Sequence, residues 1–326
     1  MHANEQEQRD ALSLRVSITD RCQLRCRYCM PAQGVEARRR EEVLSYEEIA
    51  RFVRVLTGEF PLGKVRVTGG EPLVRRDATK LVAMLGAMGI PDLAMTTNGL
   101  RLAEAADGLA AAGLDRVNVS LDSVDRRTYG QLTRGGRLGD AVEGIRCAVA
   151  SGLTPVKTNT VVLRGVNDEE VVEIARSALR MGCTPRFLEL MPIGCAAPDD
   201  LELFVPADEI LDRLRESFAL RPLSHSPGRT SRDFSADDGR GVRGTVGLIA
   251  PRTRPFCRGC GRLRLTATGD VIGCLARGEG PNVRGLLRKK TPAADQKLID
   301  TLRELVRGKS GRRGFPTGRP MSAVGG

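Results

Sequence analysis

The sequence has few aromatic residues and almost no histidine. Of its 326 residues, 3% are aromatic, tryptophan is absent, and His2 and His225 are the two histidines. The core must therefore be built mainly from Val, Leu, Ile and Ala. Few histidines are available to complete a zinc site, and few aromatic rings are available to stack the bases of single-stranded RNA.

Long apolar segments are also absent. Without a run of about 18 apolar residues we expect no membrane span, and the polar residues 1–6 do not resemble a signal peptide. We therefore expect a cytoplasmic protein. The net charge of +11, from 51 Lys and Arg against 40 Asp and Glu, suits a basic surface, a nucleic-acid-binding protein or an anionic small substrate, and the count does not separate these.

Cysteine, in contrast, is abundant for a cytoplasmic chain, in which disulfides are not expected. Six of the nine cysteines form two groups with the short spacing that is typical of metal ligation. These are Cys22, Cys26 and Cys29, and then Cys257, Cys260 and Cys274. The scattered Cys147, Cys183 and Cys195 are interpreted as core residues or bystanders.

Six β-type segments alternate with segments of helical apolar spacing. This alternation predicts βαβ units with a parallel sheet, and hence an α/β fold with a partial, open (β/α)6 barrel. The six segments are 14–19, 65–68, 93–97, 116–121, 156–163 and 186–191. Polar residues follow five of these segments, at the strand ends where barrels of this kind carry their chemistry.

The alternation ends near residue 195. Helices are predicted near 207–217 and 292–307, strands at 242–249 and 263–274, and a loop at 224–244. The second strand region contains a Thr268-Gly269-Asp270 turn, which predicts a hairpin. We expect a barrel domain at 1–200, and at 201–326 a C-terminal region that carries the second cysteine group and binds substrate.

The first cysteine group has Cx3Cx2C spacing directly after a strand. Three thiolates can hold three irons of a [4Fe–4S] cluster, whose full ligand set would be four. The remaining iron can then bind S-adenosylmethionine (SAM) through its amino and carboxylate groups. Structural zinc is the alternative, although zinc sites usually need four ligands.

The second group, Cys257, Cys260 and Cys274, also offers three thiolates, because the predicted turn returns Cys274 toward the other two. A second cluster with one open iron would suit a ligand site. A zinc ion with one unidentified ligand is the alternative here.

The cysteine spacing, Tyr28 and the sequence GGEP at 69–72 resemble the radical SAM superfamily. Within it, the chain resembles the GTP 3′,8-cyclase family of molybdenum cofactor biosynthesis. The segments that carry this resemblance are LRVSITDRCQLRCRYCMP at 14–31, KVRVTGGEPLVRRD at 64–77, TTNG at 96–99, RVNVSLD at 116–122, RFLELMPIG at 186–194, GRLR at 261–264 behind the second cysteines, and the final Gly325 and Gly326.

The resemblance implies a radical SAM barrel with two [4Fe–4S] clusters. A 5′-deoxyadenosyl radical from SAM would remove the ribose 3′ hydrogen of GTP. The C3′ radical would then attack C8 of guanine, and a further electron and a proton would give 3′,8-cyclo-7,8-dihydro-GTP. The second cluster would hold the guanine ring.

The strand-borne cations Arg15, Lys64, Arg66, Lys157 and Arg186 indicate a cavity for phosphates, since buried phosphate charge must be paired. The resemblance implies further roles, which follow as three sets. The SAM contacts are Tyr28, Gly70, Glu71, Ser120 and Met191. The GTP contacts include Thr96, Arg262, Leu263 and Arg264. The catalytic set is the first three cysteines with Arg262, Arg264, Gly325 and Gly326.

The resemblance also implies partners. These are a flavodoxin- or ferredoxin-type reductant and a downstream cyclic pyranopterin monophosphate synthase. From the residues themselves we expect no nucleic acid and no membrane as partners, and the sequence leaves open whether the chain is a monomer or a homodimer. Two alternatives remain at this point. One is a radical SAM enzyme that modifies peptides, and the other is a zinc protein that binds RNA.

Overall fold

A computed structural model describes residues 11–36, 38–193, 198–225, 229–257, 260–276 and 278–309. Within them, eleven strands form one sheet in the order β11-β10-β1-β2-β3-β4-β5-β6-β9-β8-β7. The strands are β1 Leu12–Ser17, β2 Leu62–Thr68, β3 Leu93–Thr97, β4 Arg116–Ser120, β5 Lys157–Val162, β6 Thr184–Glu189, β7 Ala219–Pro222, β8 Arg232–Asp237, β9 Arg243–Ile249, β10 Arg262–Leu265 and β11 Val271–Ile272.

Nine helices cross between or follow these strands in the described ranges. They are α1 Tyr46–Glu59, α2 Ala78–Gly86, α3 Leu102–Ala111, α4 Arg126–Thr133, α5 Leu138–Ala150, α6 Val171–Arg180, α7 Ala207–Arg215, α8 Arg284–Arg288 and α9 Pro292–Arg307. Helix α1 shows why they form here. A capping box of Ser45 and Glu48 starts it, and its buried residues include Ile49, Phe52 and Leu56 on one face.

Strands β1 to β6 are all parallel and neighbour one another in chain order. The sheet curves strongly. Strands β1 and β6 are five spacings apart, about 24 Å in a flat sheet, yet Arg15 on β1 and Arg186 on β6 line the same cavity. The expected partial α/β barrel is therefore confirmed.

The two faces of the curved sheet differ in polarity. On β1, Leu14 and Val16 pack outward into the main apolar core with the helices, whereas Arg15 lines a cavity inside the curve. A second core packs around β6 and β9 with α6 and α7. The two apolar cores that stabilise the fold thus lie outside the barrel, and polar side chains such as Arg15 line its interior together with some apolar ones.

The C-terminal region extends the sheet at both of its sides. Strand β10 pairs in parallel with β1, and β9 pairs in parallel with β6. The predicted hairpin is confirmed, because β10 and β11 pair antiparallel. The predicted loop at 224–244 was wrong in part, since it contains β8, which is held by an antiparallel ladder to β9. Helix α4 was not predicted at all.

Among the described residues, no helix is both long enough and apolar enough to cross a bilayer.

Candidate active site

A cavity of about 1070 Å³ fills the inside of the curved sheet. Both cysteine groups line it, so two segments far apart in sequence meet at one space. Of the predicted site residues, those that also line it are Arg15, Tyr28, Arg66, Gly70, Thr96, Ser120, Arg186, Met191, Arg262 and Arg264. Gly325 and Gly326 lie outside the described residues, as does Cys195.

The first cysteine loop is held from two sides. It follows β1, and the backbone N–H groups of Arg25 and Arg27 donate to the carbonyls of Thr133 and Leu132, each at 3.0 Å. Those carbonyls belong to the last turn of α4, whose unpaired C=O groups are available to accept. Helix α4 therefore fixes the loop that carries Cys22, Cys26 and Cys29.

The two glycines of the GGEP segment allow it to lie directly on the cysteine loop. The Gly70 N–H donates to the Thr19 carbonyl at 2.7 Å. A Cβ on Gly70 would meet the Arg21 carbonyl oxygen at 2.5 Å, which is too close for any side chain. Glycine is required because one backbone must approach the other at this point.

Glu71 lies beneath this edge and is not among the residues that line the cavity. Its carboxylate accepts from the Leu73 N–H at 3.0 Å, the Thr97 hydroxyl at 2.8 Å and the Asn98 N–H at 2.6 Å. Burial raises its pKa to about 7, against these hydrogen bonds. Glu71 therefore joins the ends of β2 and β3, and it holds Asn98, whose side-chain amide reaches the Cys22 Sγ at 3.8 Å.

The first three thiols suit an iron–sulfur cluster by their chemistry. No disulfide links the eight described cysteines, and the described residues contain no group of three Cys, His, Asp or Glu side chains arranged for a metal ion. The fit rests on the donors, because three thiols of one loop face the same cavity and thiolate is the usual ligand of such clusters. Burial raises the pKa values of Cys22 and Cys26, and iron would supply the positive charge that stabilises their thiolates.

Tyr28 lies between the cysteine loop and the end of β4. Its hydroxyl donates to Asp122 Oδ2 at 2.7 Å, and the Val161 N–H donates to Asp122 Oδ1 at 2.9 Å. Burial raises the pKa of Asp122 to about 6. Ser120, two residues before Asp122, lines the cavity. The hydrogen bond to Asp122 therefore places the ring of Tyr28 beside the predicted SAM pocket.

The second cysteine group lies across the cavity, on the arms of the β10–β11 hairpin. Burial disfavours the Cys260 thiolate. The charge of Arg262, its backbone N–H and the charge of Lys309 outweigh burial and lower the pKa of this thiol. The Arg262 guanidinium lies 4.7 Å from the centre of the Phe256 ring and donates to the Phe256 carbonyl at 3.2 Å. These thiols also fit a cluster, in a more positive setting than the first group.

Arginines form a row between the two cysteine groups. Arg15 is the register partner of Arg264 on one side and of Arg66 on the other, and Arg186 approaches from β6. All four line the cavity. Burial and then repulsion from neighbouring arginines lower the pKa of all four, to about 10 for Arg264 and for Arg186, whose repelling neighbour is Arg116. Such a group of like charges favours an anion between them.

Buried donors without a hydrogen bond on these arginines support the same conclusion. The buried Nε groups of Arg66, Arg186 and Arg264 have no partner among the described residues. None of the ion pairs found within those residues involves these three side chains. An unsatisfied buried donor costs on the order of 1–3 kcal/mol, and a charged one costs more; an entering polyanion would offset that cost.

Three of the predicted GTP contacts do not line the cavity: Lys64, Lys157 and Leu263. Lys64 pairs with Asp92 at 2.8 Å, and Asp92 also pairs with Arg116 at 2.8 Å. Burial, followed by repulsion from Arg186, lowers the pKa of Lys157 to about 8. Leu263 is fully buried in the main core. The two lysines lie toward the amino-terminal ends of β2 and β5, below the row of arginines.

Three residues with clear contacts had no predicted role. Asn98 and Asp122 appeared only within the segments TTNG at 96–99 and RVNVSLD at 116–122. Lys309 follows α9, lines the cavity, and donates from Nζ to the Gly273 carbonyl at 2.6 Å. A polar residue directly after a β-type segment was a usable signal for the first two, and nothing local signalled the third.

Comparison with known proteins agrees with this geometry. Residues 16–178 match the family model of the radical SAM superfamily, and residues 183–315 match the model named Molybdenum Cofactor Synthesis C. The GTP 3′,8-cyclase of Moorella thermoacetica is 43% identical over 297 residues, which cover 90% of each chain. That of Geobacter sulfurreducens is 43% identical over 304 residues, 93% of this chain and 91% of the relative.

The chain belongs to the GTP 3′,8-cyclase family of radical SAM enzymes. Among solved structures, Streptococcus suis SuiB bound to S-adenosylmethionine aligns with a TM-score of 0.63 at 15% identity, covering 90% of this chain and 65% of SuiB. SuiB bound to the precursor peptide SuiA aligns with a TM-score of 0.65 at 14% identity. At this identity the likeness concerns the fold alone. Membership of this family confirms the expected enzyme class, and it confirms two [4Fe–4S] clusters and SAM as the cofactors.

Proposed function

We propose that the protein is a GTP 3′,8-cyclase that catalyses the first step of molybdenum cofactor biosynthesis. The observation that carries this proposal is the row of Arg264, Arg15 and Arg66 between two cysteine groups in one cavity. A triphosphate held there would have one cysteine group on each side. The family membership and the names of its relatives support the same activity.

At the first cysteine group, the chain's residues would hold SAM against the cluster of Cys22, Cys26 and Cys29. The backbone at Gly70, the ring of Tyr28 and the side chains of Ser120 and Met191 border that part of the cavity. Glu71 acts from beneath by fixing Asn98 and the GGEP edge. When bound, the cluster and SAM would supply the 5′-deoxyadenosyl radical that removes the ribose 3′ hydrogen; C3′ would then bond to C8, and one further electron and a proton would complete the product.

The arginines would orient GTP for this step. Guanidinium groups bind phosphate oxygens in pairs, so Arg15, Arg66, Arg186 and Arg264 would fix the triphosphate against the barrel wall. Arg262 lies beside Cys260 and would contact the nucleotide where the second cluster holds the guanine. The ribose then lies between base and phosphates, toward the SAM side. Leu188, Leu190 and Ile193 also line the cavity and would exclude water from a reactive radical.

The division of labour along the chain belongs to the same proposal. Residues 1–200 would supply the radical SAM barrel, and residues 201–326 the second cluster and much of the substrate pocket. Both β10 and the cysteines of the second group come from this later region. On the basis of the family resemblance, Gly325 and Gly326 would also reach the site.

The proposed partners follow from the reaction. A flavodoxin- or ferredoxin-type protein would deliver electrons, and a cyclic pyranopterin monophosphate synthase would take the product. The protein would work in the cytoplasm as a monomer or homodimer, without a nucleic acid.

The decisive experiment is anaerobic. Reconstituted protein is mixed with SAM, dithionite and GTP that carries deuterium at C3′. We expect 5′-deoxyadenosine containing one deuterium and an equal amount of 3′,8-cyclo-7,8-dihydro-GTP. Cleavage of SAM without deuterium transfer and without a cyclic product would exclude the cyclase activity, while leaving the radical SAM assignment in place.

A further inference from the structure

Lys309 connects the two arms of the second cysteine group. It stands two residues beyond the end of α9, is half-buried, and lines the cavity. Its Nζ donates to the backbone carbonyl of Gly273 at 2.6 Å and to that of Arg262. Gly273 directly precedes Cys274, and Arg262 lies two residues after Cys260.

These carbonyls lie where the β10–β11 ladder has ended. The last register pair on this side of the hairpin is Arg264 with Ile272. Beyond it the described residues show no further register pair between the two strands, so backbone hydrogen bonds no longer set the distance between them. The ammonium of Lys309 replaces the missing rungs, so the cysteine arms remain at a defined separation.

A lysine suits this position for two reasons. An ammonium offers three donors around one compact nitrogen, so it can bind two carbonyls that face each other and still point a third N–H at the cavity. It also brings a full positive charge beside Cys260 and Cys274. A cluster gains negative charge when it is reduced, so a nearby cation favours the reduced form.

We propose that Lys309 is a positioning residue for the second iron–sulfur cluster, which braces its two cysteine arms and raises its reduction potential. This inference rests on the two-cluster site of the proposed function. It assigns Lys309 no contact with SAM and none with the first cluster.

The test compares three variants of the full chain after anaerobic reconstitution. Lys309→Met keeps the length of the stem and removes the ammonium. Lys309→Arg keeps the charge in a planar group, and Lys297→Met removes an exposed lysine from α9 as the control. Iron per chain, an EPR-monitored redox titration, and the spectral changes caused by SAM and by GTP are measured for each.

We expect the wild type and Lys297→Met to hold about eight irons. Lys309→Met should approach about four, keep the SAM-induced change, and lose most of the GTP-induced change. The second cluster that it retains should have a lower midpoint potential, and Lys309→Arg should restore that potential.

The role of Lys309 is excluded if Lys309→Met matches Lys297→Met in iron content, potential and response to GTP. A wild type that holds only about four irons would overturn the second cluster itself, and with it both the proposed function and this inference. The wild-type measurement therefore distinguishes the two failures.

Discussion

Arg15 and Arg66 are register partners on the adjacent parallel strands β1 and β2, so two guanidinium groups emerge side by side into the cavity. Arg264 continues the row on the other side of Arg15. Like charges at this spacing oppose folding unless something negative joins them. The row of arginines therefore stabilises a bound polyanion, and it lowers the stability of the protein when no anion is bound.

Replacing Arg66 with Met should separate these two effects. GTP affinity should fall about ten- to a hundred-fold, since a charged hydrogen bond contributes about 1.5–3 kcal/mol. The thermal midpoint without GTP should stay the same or rise, because repulsion within the row is relieved. Equilibrium dialysis and thermal melts measure the two quantities. Arg146→Met, an exposed change on α5, is the control, and an Arg66 variant that binds GTP as this control does would contradict the prediction.

Lys64→Met should reduce GTP affinity less than Arg66→Met does, although both residues are on β2. The charge of Lys64 is already paired with Asp92 at 2.8 Å, and its side chain is outside the cavity lining. Parallel dialysis measurements on the two variants decide this. An equal or larger loss for Lys64→Met would mean that GTP displaces Asp92 and draws the lysine into the site.

Gly70→Ala should abolish most SAM cleavage. A Cβ there would lie 2.5 Å from the Arg21 carbonyl oxygen, so the GGEP edge must move away from the cysteine loop. The second cluster, on the other side of the cavity, should remain. The measurement is the 5′-deoxyadenosine yield together with iron content.

Gly58→Ala is the matched control for this change. Nothing lies within 4 Å of its added Cβ, and alanine favours the helix by about 1 kcal/mol. We expect normal SAM cleavage and equal or higher stability. If Gly70→Ala behaved in the same way, the close approach at Gly70 would not matter for the site.

Asp122→Asn should change how stability depends on pH. The pKa of Asp122 is raised to about 6 by burial, against about 3.9 in an unfolded chain. The folded state therefore binds more protons at Asp122 between these values, and the contribution of Asp122 to the stability of the wild type falls as pH rises from about 4 to about 6. The asparagine keeps both contacts, since its oxygen can accept from the Val161 N–H and its amide can donate to Tyr28.

Urea unfolding at several pH values tests this. The free energy of unfolding of Asp122→Asn should rise relative to the wild type between about pH 4 and pH 6, and the difference should be constant above that. Glu71, whose pKa is also raised, is present in both proteins and cancels in the difference. A difference that did not vary with pH would show that Asp122 ionises normally.

The alternation of strands and helices in the barrel could be predicted from the sequence because each buried strand has a run of apolar residues between polar ends. Helix α4 could not. Its sequence RRTYGQLT is largely polar, and its buried residues are Tyr129, Leu132 and Thr133. It forms by an Asp125 cap and by contact with the cysteine loop, which no local pattern records.

Strand β8 was missed for a related reason. Its residues RDFSAD are mostly half-exposed, with Ala236 the one buried position in the strand. A strand held mainly by backbone pairing to β9 needs no alternation of polar and apolar side chains. The loop prediction followed from composition, whereas the ladder decided the structure.

The site was predicted where residue type alone carried the chemistry, as with the cysteines and the arginines that line the cavity. The roles of Glu71 and Lys309 depend on which backbone groups approach them. Glu71 belongs to a recognisable motif, yet its carboxylate binds the ends of β2 and β3. Lys309 acts on carbonyls 36 and 47 residues away in sequence, and such contacts follow only from the assembled fold.

The sheet order also bears on how the chain is made. Strand β1 is synthesised first, but its partner β10 begins only at Arg262. Until then β1 has an open edge, a known route to aggregation, and closing it requires contacts of very long sequence separation, which form slowly. We expect the barrel to close only after β10 has left the ribosome, and a chaperone that covers open strand edges to raise the yield of active protein.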